Sequence, residues 1–291
     1  MDKYFDVVIV GGGPAGLSAA VYAVRGGAST AVVEELGMGG LVSSTPRIEN
    51  YIGAGFVSGY ELAEAMRKQA EECGAQFVYS RAEKITGGET KSVTLSDGSV
   101  LSCKAIVLAL GSTPRKLGVP REDELLGAGL SYCAVCDGNF FRDKTVVVAG
   151  GGKAARDAVK YMLPIAKKVY SVSEGEPLGV DGSQSIGGAK IKALIGKPLE
   201  AVEIEENGST RTVAADGIFV QLGYKPALRL AEGLVETDKA GYIICDEQMR
   251  TSVDGIFAAG DIRSKPLRQI VTAVSDGAIA GHFAALYRRH I

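Results

Sequence analysis

The same pattern of strand, glycine turn and helix occurs twice along the chain, and this repeat restricts the possible folds most strongly. In the first copy the apolar run Asp6–Val10 ends at Gly11-Gly12-Gly13-Pro14-Ala15-Gly16. In the second copy Thr145–Ala149 ends at Gly150-Gly151-Gly152-Lys153-Ala154-Ala155. Each turn opens a helix-like stretch and a second apolar strand follows, which makes a βαβ unit with parallel strands. The sequence therefore predicts an α/β protein with two Rossmann-like, doubly wound, three-layer domains that bind dinucleotides.

The remaining segments fit such domains. Ser92–Leu95 and Ser99–Cys103 flank the turn residues Asp97-Gly98, which predicts a hairpin. Gly175–Gly188 is rich in Gly, Ser and Pro, and we expect a loop there. The other predicted elements are the helices Glu61–Cys73 and Ala273–Leu286 and the strands Ser29–Glu34, Ala105–Leu110, Lys168–Val172, Ile218–Leu222, Tyr242–Cys245 and Ile256–Ala259.

Composition and charge exclude several classes of partner. A chain of 291 residues is long enough for two domains with their own cores. Its net charge of −2 provides no broad basic field for nucleic acid or an anionic membrane. The first residues read as a strand rather than a signal peptide, and Gly, Asp or Arg interrupts every apolar run before it approaches a membrane-spanning length. We therefore expect a cytoplasmic protein with neither a nucleic-acid nor a membrane partner.

The first glycine turn has the features of a dinucleotide site. Gly11, Gly13 and Gly16 fit G-x-G-x-x-G, in which the first glycine permits the turn and the second lets the backbone approach a pyrophosphate. Unpaired N–H groups at the start of the helix can bind the phosphates. Glu34 ends the second strand, where a carboxylate can accept a ribose hydroxyl. The alternative, a glycine turn without a ligand, is disfavoured because strand, helix and acid are all in place.

The second glycine turn carries a weaker fingerprint. Gly150, Gly152 and Ala155 fit the same template, with alanine in the third position. The strand that follows ends at Val172-Ser173-Glu174-Gly175, with no arginine for the 2′-phosphate of NADPH. Two readings stay open here: a nucleotide site, or a turn that only packs the domain.

A pair of cysteines provides the redox chemistry. Cys133 and Cys136 are the only close pair among five cysteines, and Asp137 follows directly. Disulfide exchange proceeds through thiolates, so a nearby acid can protonate the leaving sulfur. No second C-x-x-C and no nearby histidine complete a zinc site, so we expect no metal. In a reducing compartment such a pair is more often catalytic than structural.

With these residues in view, the chain resembles the thioredoxin reductase family, the small-subunit flavoprotein kind. The resemblance covers nearly the whole chain and rests on the glycine turn, the Cys133–Gly138 motif, and T-x-x-x-G-I-F-A-A-G-D over Thr251–Asp261. It implies FAD in a discontinuous domain, 1–112 and 244–291, and a nicotinamide-type domain, 113–243, between its halves. It also implies a homodimer, Asp137 as the acid, Cys136 facing the flavin and Cys133 exchanging with the partner.

The resemblance also implies a set of cofactor-binding residues. Asp261 is expected at the ribityl chain, and Arg268-Gln269-Ile270 at the flavin. The full FAD set is Gly11, Gly13, Pro14, Ala15, Gly16, Glu34, Gly39, Gly40, Leu41, Asn50, Ala109, Gly111, Gly260, Asp261, Arg268, Gln269 and Ile270.

The chain departs from the family pattern on the donor side. The basic run that holds the 2′-phosphate in the family is replaced by Ser173-Glu174-Gly175, and the stretch after it is shortened. A smaller departure is Leu41, where the family usually has glutamine. The first two departures resemble the pyridine-nucleotide-independent branches, which take electrons from reduced ferredoxin or a deazaflavin.

These observations predict an FAD-dependent disulfide reductase that acts on thioredoxin or a thioredoxin-like protein through Cys133 and Cys136. NADPH is expected to be a poor donor; reduced ferredoxin or another low-potential carrier is favoured, and NADH stays possible. Three alternatives stay open: an ordinary NADPH-dependent thioredoxin reductase, a flavin dithiol oxidase, and a flavin redox sensor without turnover.

Overall fold

The computed structural model describes residues 3–45 and 47–288. Within them the chain forms five α-helices, α1 Pro14–Arg25, α2 Gly59–Cys73, α3 Ala134–Asp137, α4 Lys153–Met162 and α5 Ile270–Tyr287. The strands of the same residues are β1 Lys3–Val10, β2 Thr30–Glu34, β3 Gln76–Tyr79, β4 Ala82–Thr86, β5 Lys91–Leu95, β6 Val100–Leu108, β7 Ser112–Pro114, β8 Leu130–Ser131, β9 Thr145–Ala149, β10 Lys168–Val172, β11 Gln184–Ile186, β12 Ala189–Gly196, β13 Leu199–Glu206, β14 Ser209–Ala214, β15 Gly217–Val220, β16 Tyr224–Pro226 and β17 Ile256–Ala258.

The first compact unit comprises 1–113 and 226–291 and is built on one large sheet. Its strand order is β3-β2-β1-β6-β5-β4, and β17 pairs with β6. The strands β3, β2, β1, β6 and β17 are parallel, whereas β4 and β5 are antiparallel to their neighbours. Parallel strands place their carboxyl ends, and the loops that follow them, at one edge of the sheet, where ligands bind in such folds.

Helices α1 and α5 pack closely because small residues face each other. A Cβ on Gly277 would collide with the carbonyl oxygen of Ala15, and one on Gly281 with that of Ala19. By length and composition alone α5 could cross a membrane. However, it lies against α1 in the core of this unit, and its Asp276 forms buried ion pairs. We therefore interpret it as a core helix that is longer than the predicted Ala273–Leu286.

The second unit, 114–225, has a parallel five-stranded sheet in the order β11-β10-β9-β15-β8. Helix α4 covers one face of this sheet through Ala155, Val159 and Met162. The antiparallel sheet β12-β13-β14 covers the other face, with Ile191 and Val202 in the shared core. Both units are α/β folds built on parallel strands, which confirms the predicted α/β class with two dinucleotide-binding-type domains.

The second domain boundary differs from the sequence-based one. The sequence places it at 243/244, whereas the structure divides the chain between Lys225 and Pro226. The segment after Pro226 belongs to the first unit because Ala231 and Val235 are buried in its core. Arg229 fixes the same segment by donating to the carbonyl oxygen of Ala82 at 2.9 Å. Among the described residues 227–243 the only helix is the short 3₁₀ helix Leu228–Leu230, so apolar periodicity could not locate the boundary.

Three local predictions are corrected. The segment Tyr242–Cys245 is no strand; only Ile243 forms isolated bridges, to Thr237 and Arg263. The predicted loop Gly175–Gly188 contains the short strand β11, which adds to the sheet edge beside β10. The runs Ser99–Cys103 and Ala105–Leu110 form one strand, β6, because Lys104 between them does not interrupt the parallel pairing with β1.

Candidate active site

The first glycine turn connects β1 to α1 at the carboxyl edge of the large sheet. Gly11 has a φ of 109°, and its N–H donates to the carbonyl oxygen of Val33 at 2.9 Å. A Cβ on Gly16 would collide with the Gly11 carbonyl, so the helix can approach the turn only with glycine there. Gly13 precedes Pro14 and faces open space. The turn therefore leaves room for a phosphate group at the start of α1.

Glu34 lies beside this turn at the end of β2. Its Oε2 accepts the Gly12 N–H at 2.8 Å, and its Oε1 accepts the Leu36 N–H at 3.0 Å. Two backbone donors thus hold the carboxylate in place. Each carboxylate oxygen can accept a further hydrogen bond, so the group can still bind a ribose hydroxyl.

A second group of predicted residues lies against the same turn. Gly39 donates to the Gly12 carbonyl at 2.7 Å, and Gly40, with a φ of 55°, begins a short 3₁₀ helix that continues with the exposed Leu41. The predicted Ala109 and Gly111 follow β6, and Ala109 donates to the Val10 carbonyl at 2.8 Å.

The start of α5 joins this edge through two contacts. Asn50 donates from Nδ2 to Oε1 of Gln269 at 3.0 Å, and Gln269 is the N-cap residue of α5. Ile270, the first helical residue, packs against the cluster of Val42, Ile48 and Leu62. The structure thus brings the predicted cofactor residues of the first unit together around the carboxyl ends of its parallel strands.

Asp261 provides the test of whether these residues fit a flavin dinucleotide. It follows Gly260, whose φ is 81° and whose Cβ would press on Ala15 of α1. The Oδ1 atom of Asp261 is buried and has no hydrogen-bond partner among the described residues. Burial raises the pKa of this carboxyl, while Lys265 and Arg268 oppose the rise. A buried acceptor without a partner beside the glycine turn fits a bound polyol hydroxyl, so the site fits FAD.

Arg268 contacts the backbone of its own loop, whereas the family resemblance predicts that it lies at the flavin. Its guanidinium donates to the backbone carbonyls of Asp261, Arg263 and Lys265 and stacks 3.9 Å from the centre of the Tyr242 ring. These bonds hold the loop that carries Asp261. Arg268 can therefore shape the cofactor site through this loop.

Under that loop lies an ion cluster that the sequence reasoning missed. Asp276 of α5 accepts from Lys265 Nζ at 2.7 Å, from Arg263 at 3.4 Å and from the Gly260 N–H at 3.1 Å. The Lys265 side chain is only 4% exposed. A charged residue inside an otherwise apolar helix is the one sequence signal that could have identified this cluster.

The redox pair lies in the second unit, just after β8. Cys133 and Cys136 form a disulfide, with 5.2 Å between their Cα atoms. Cys133 is the N-cap residue of the single-turn helix α3, and its Sγ accepts the Cys136 N–H at 3.1 Å. Both cysteines are partly exposed. The other cysteines, Cys73, Cys103 and Cys245, are reduced.

Asp137 ends α3 and has an asymmetric environment. Its Oδ2 accepts the Ser131 hydroxyl at 2.6 Å. Its Oδ1 is buried without a hydrogen-bond partner in the described part of the chain. Burial raises the pKa of Asp137, and the Ser131 hydrogen bond partly opposes this rise. A carboxyl group with a raised pKa beside a disulfide can hold a proton and release it to sulfur.

The second glycine turn repeats the backbone contacts of the first. Gly150 donates to the carbonyl of Val172 at 2.9 Å, as Gly11 does to Val33. The residue after Val172 is Ser173, which therefore matches Glu34. Ser173 is buried, and its hydroxyl donates to the Glu176 carbonyl at 2.6 Å. The carboxylate beside the first turn, Glu34, thus has no direct counterpart here.

A polar cavity of about 360 Å³ opens beside the end of β10. Glu174, Lys190, Glu205 and Asn207 contribute to its lining. Lys190 lies 3.5 Å from Glu205, whose pKa is lowered first by its hydrogen bond with Lys192. The sequence reasoning found no cation near Glu174, because Lys190 comes from the neighbouring sheet. Glu205 thus pairs with both Lys190 and Lys192, while Glu174 is exposed in the cavity lining.

An α/β fold with two dinucleotide-type glycine turns and a redox disulfide is typical of a class of flavoprotein oxidoreductases. Residues 5–277 match the family described as pyridine nucleotide-disulphide oxidoreductase, and the chain belongs to this family. It is 40% identical over 302 residues to a thioredoxin reductase of Treponema pallidum (strain Nichols), with 99% of this chain and 98% of that protein covered. The similarity thus extends over the full length of a curated relative.

Solved structures agree with this assignment. The thioredoxin reductase from Streptococcus pyogenes MGAS5005 is similar with a TM-score of 0.94 and 38% identity, covering 100% of both chains. A ferredoxin-flavin thioredoxin reductase from Clostridium acetobutylicum is similar with a TM-score of 0.57 and 27% identity, also covering 100% of both chains. The chain is accordingly an oxidoreductase of the thioredoxin reductase kind, which confirms the predicted resemblance and enzyme class.

Proposed function

We propose that this enzyme passes electrons from FAD through the Cys133/Cys136 dithiol to thioredoxin or a thioredoxin-like protein. The observation that carries the proposal is the Cys133–Cys136 disulfide with Asp137, a carboxyl of raised pKa, on the same helical turn. The Gly11–Gly16 turn, Glu34 and Asp261 would hold the FAD. When bound, FAD supplies the electron pair that opens the disulfide.

The side chains of the second unit then perform the exchange. Two electrons break the bond between Cys133 and Cys136, and Asp137 gives its proton to the sulfur that leaves as thiolate. The exchanging thiolate attacks the partner's disulfide, which forms a mixed disulfide and releases one partner sulfur. The second cysteine attacks this mixed disulfide, restores Cys133–Cys136 and releases the reduced partner. The family resemblance assigns the exchanging role to Cys133 and the flavin-facing role to Cys136.

The proposed electron donor is a low-potential carrier such as reduced ferredoxin rather than NADPH. Phosphate recognition by arginine is bidentate and charge-assisted. At the second glycine turn the corresponding positions hold Ser173, whose hydroxyl bonds the backbone, and the exposed carboxylate Glu174. In the adjacent cavity lining Lys190 is already paired with Glu205, which also binds Lys192, so Glu174 has no such cation of its own among the described residues there. This charge distribution disfavours a 2′-phosphate, and a ferredoxin-flavin enzyme is among the similar solved structures, at 27% identity.

An ordinary NADPH-dependent reductase is the second candidate. Lys190 favours it, since this lysine is a cation in the lining of the cavity that also contains Glu174, after the end of β10. The family description also names pyridine nucleotides. NADH is a third possible donor, because its 2′-hydroxyl needs no cation.

The decisive experiment is anaerobic reduction of the bound flavin with one donor at a time. NADPH, NADH and reduced ferredoxin are offered separately, and loss of flavin absorbance is followed, with dithionite as the positive control. We expect fast bleaching with reduced ferredoxin and slow bleaching with NADPH even at high concentration. Rapid, stoichiometric bleaching by micromolar NADPH would establish the second candidate instead.

The acceptor is tested in the same assay. Catalytic amounts of enzyme, with a competent donor, should reduce an excess of thioredoxin, whereas a sensor would stop after one equivalent. Consumption of oxygen with small dithiols and no thioredoxin would indicate a dithiol oxidase. The proposed homodimer is tested separately by sedimentation of the flavin-loaded protein.

A further inference from the structure

The hydroxyl of Ser131 connects the redox turn to its acid. Ser131 ends β8 and is 3% exposed. Its Oγ accepts the N–H of Cys133 at 2.9 Å and lies 2.6 Å from Oδ2 of Asp137. The carbonyl oxygen of Cys133 is farther away, at 3.3 Å. A hydroxyl has one proton to donate in a hydrogen bond, so Ser131 donates to the closer acceptor, Oδ2 of Asp137.

This contact distinguishes the two oxygens of Asp137. A neutral carboxyl group carries its proton on one oxygen and accepts hydrogen bonds best on the other. Oδ2 accepts the Ser131 hydroxyl, while Oδ1 is buried with no partner in residues 3–45 and 47–288. We infer that Ser131 is a positioning residue that fixes the acidic proton of Asp137 on Oδ1 and ties this carboxyl to the backbone of Cys133. This inference rests on the proposed role of Asp137 as the acid.

The same hydrogen bond also assists the proton transfer. Two electrons convert the disulfide into two thiolates; Oδ1 gives its proton to one of them, which becomes a thiol. Asp137 is then a carboxylate until it takes a proton from water. The Ser131 hydrogen bond becomes charge-assisted in that state and therefore stronger. Ser131 thus stabilises the product of the transfer, while burial stabilises the protonated form before it.

Ser131 is the hydrogen-bonding partner of Asp137 at Oδ2. Cys133 and Cys136 share its turn, and from α4 the Tyr161 hydroxyl contacts the carbonyl oxygen of Val135 at 3.5 Å. The neighbouring Tyr132 donates its phenol to Glu122 at 2.8 Å. Within the described chain, burial and Ser131 account for the shift of the Asp137 pKa, with no contribution from a charged side chain. A change at Ser131 should therefore appear directly in the pH dependence of disulfide opening.

The test measures how fast dithiothreitol opens Cys133–Cys136 in the flavin-loaded protein between pH 5.5 and 9. Alkylation and peptide mass analysis separate these sulfurs from Cys73, Cys103 and Cys245. Each rate is divided by the concentration of dithiothreitol thiolate, which itself rises with pH. A decrease of this normalised rate with rising pH then reports deprotonation of the protein's acid. This readout needs neither the physiological donor nor thioredoxin.

We expect Ser131→Ala to move this fall about one to two pH units higher, because a hydrogen bond that favours the carboxylate is lost. The plateau at low pH should drop about tenfold, since the acid is no longer held in place. Ser131→Thr keeps the hydroxyl, so both the pH at which the rate falls and the plateau at low pH should match those of the unmodified protein. If Ser131→Ala does not fold, Ser131→Cys keeps the size, weakens the donor, and should shift the profile in the same direction.

The matched control is Ser171→Ala, which removes another fully buried serine hydroxyl of the same unit, one that bonds Ser185 at 3.0 Å. The pH dependence of disulfide opening in Ser171→Ala should match that of the unmodified protein. If Ser131→Ala matches this control while Asp137→Asn is slow, the positioning role of Ser131 is refuted and Asp137 remains the acid. If Asp137→Asn itself opens at the unmodified rate, the acid assignment fails, and the inference about Ser131 fails with it.

Discussion

Removing the charge of Asp276 should destabilise the first unit far more than removing an exposed carboxylate. Asp276 pairs with Lys265 at 2.7 Å and Arg263 at 3.4 Å, and the Lys265 side chain is only 4% exposed. Breaking one partner of a buried ion pair leaves an uncompensated charge, which typically costs about 3–5 kcal/mol. Asp276→Asn keeps an acceptor for the Gly260 N–H, so the decrease in the free energy of unfolding measures mainly the removal of the negative charge.

The control for this prediction is Glu72→Gln in the same unit. Glu72 pairs with Lys68 at 3.8 Å on the surface of α2, with both side chains more than half exposed. Pairs of this kind contribute about 0.3–0.5 kcal/mol. Urea unfolding of the flavin-loaded protein, at fixed excess FAD, is followed by flavin fluorescence, which reports the unit that holds the cofactor.

A double-mutant cycle separates the ion pair from general disruption of packing. Lys265→Met combined with Asp276→Asn removes the two charges of the closest pair and leaves Arg263, and the double variant should be more stable than the sum of the single losses predicts. We expect a coupling of at least about 1 kcal/mol. A loss for Asp276→Asn no larger than that for Glu72→Gln, with the flavin retained, would refute the assignment of a buried ion pair.

Further outcomes follow from the two sites. The cofactor should be FAD and not FMN, because the glycine turn with Glu34 accommodates an adenosine half; chromatography after acid release identifies it. Cys133→Ser and Cys136→Ser should each abolish disulfide reduction while the flavin stays bound, as its absorbance spectrum will show. Asp137→Asn should slow turnover by a factor of about 100 to 10,000 without preventing flavin reduction. The unmodified enzyme needs the protonated acid, so its turnover should fall as pH rises through the raised pKa of Asp137. Glu174→Arg should increase the rate of flavin reduction by NADPH but not by reduced ferredoxin; equal effects on both donors would show that charge at this position does not select the donor.

The sequence predicts most of the cofactor edge because local geometry determines it. A glycine such as Gly11, with a φ of 109°, is required wherever the backbone must turn sharply between strand and helix. The apolar runs that become β1, β6 and β9 are long enough to indicate buried parallel strands. These features depend on a few consecutive residues, so they can be read before any tertiary contact is known.

The elements that the sequence did not predict depend on distant contacts. Asp276 lies 13 residues after Arg263, and only the packing of α5 under the Asp261 loop makes them partners. Lys190 faces the cavity beside Glu174 because the sheet β12-β13-β14 folds over the parallel sheet. The segment 226–243 returns to the first unit through scattered apolar side chains without helix or strand periodicity. Such contacts join residues that are distant in the sequence, so helix and strand periodicity could not predict the partners.

The two glycine turns indicate how one backbone arrangement can serve different chemistry. Gly11 and Gly150 make the same 2.9 Å hydrogen bond to the end of the next strand, so the two folds match at the backbone. At the matching side chain, however, Glu34 presents a carboxylate held by two N–H groups, while the Ser173 hydroxyl bonds to its own loop. In folds of this kind the glycines permit the turn, and the residue at the end of the second strand contacts the ribose. We therefore propose that the second unit keeps the arrangement that carries Cys133, Cys136 and Asp137 without selecting NADPH, since Ser173 and Glu174 follow its second strand.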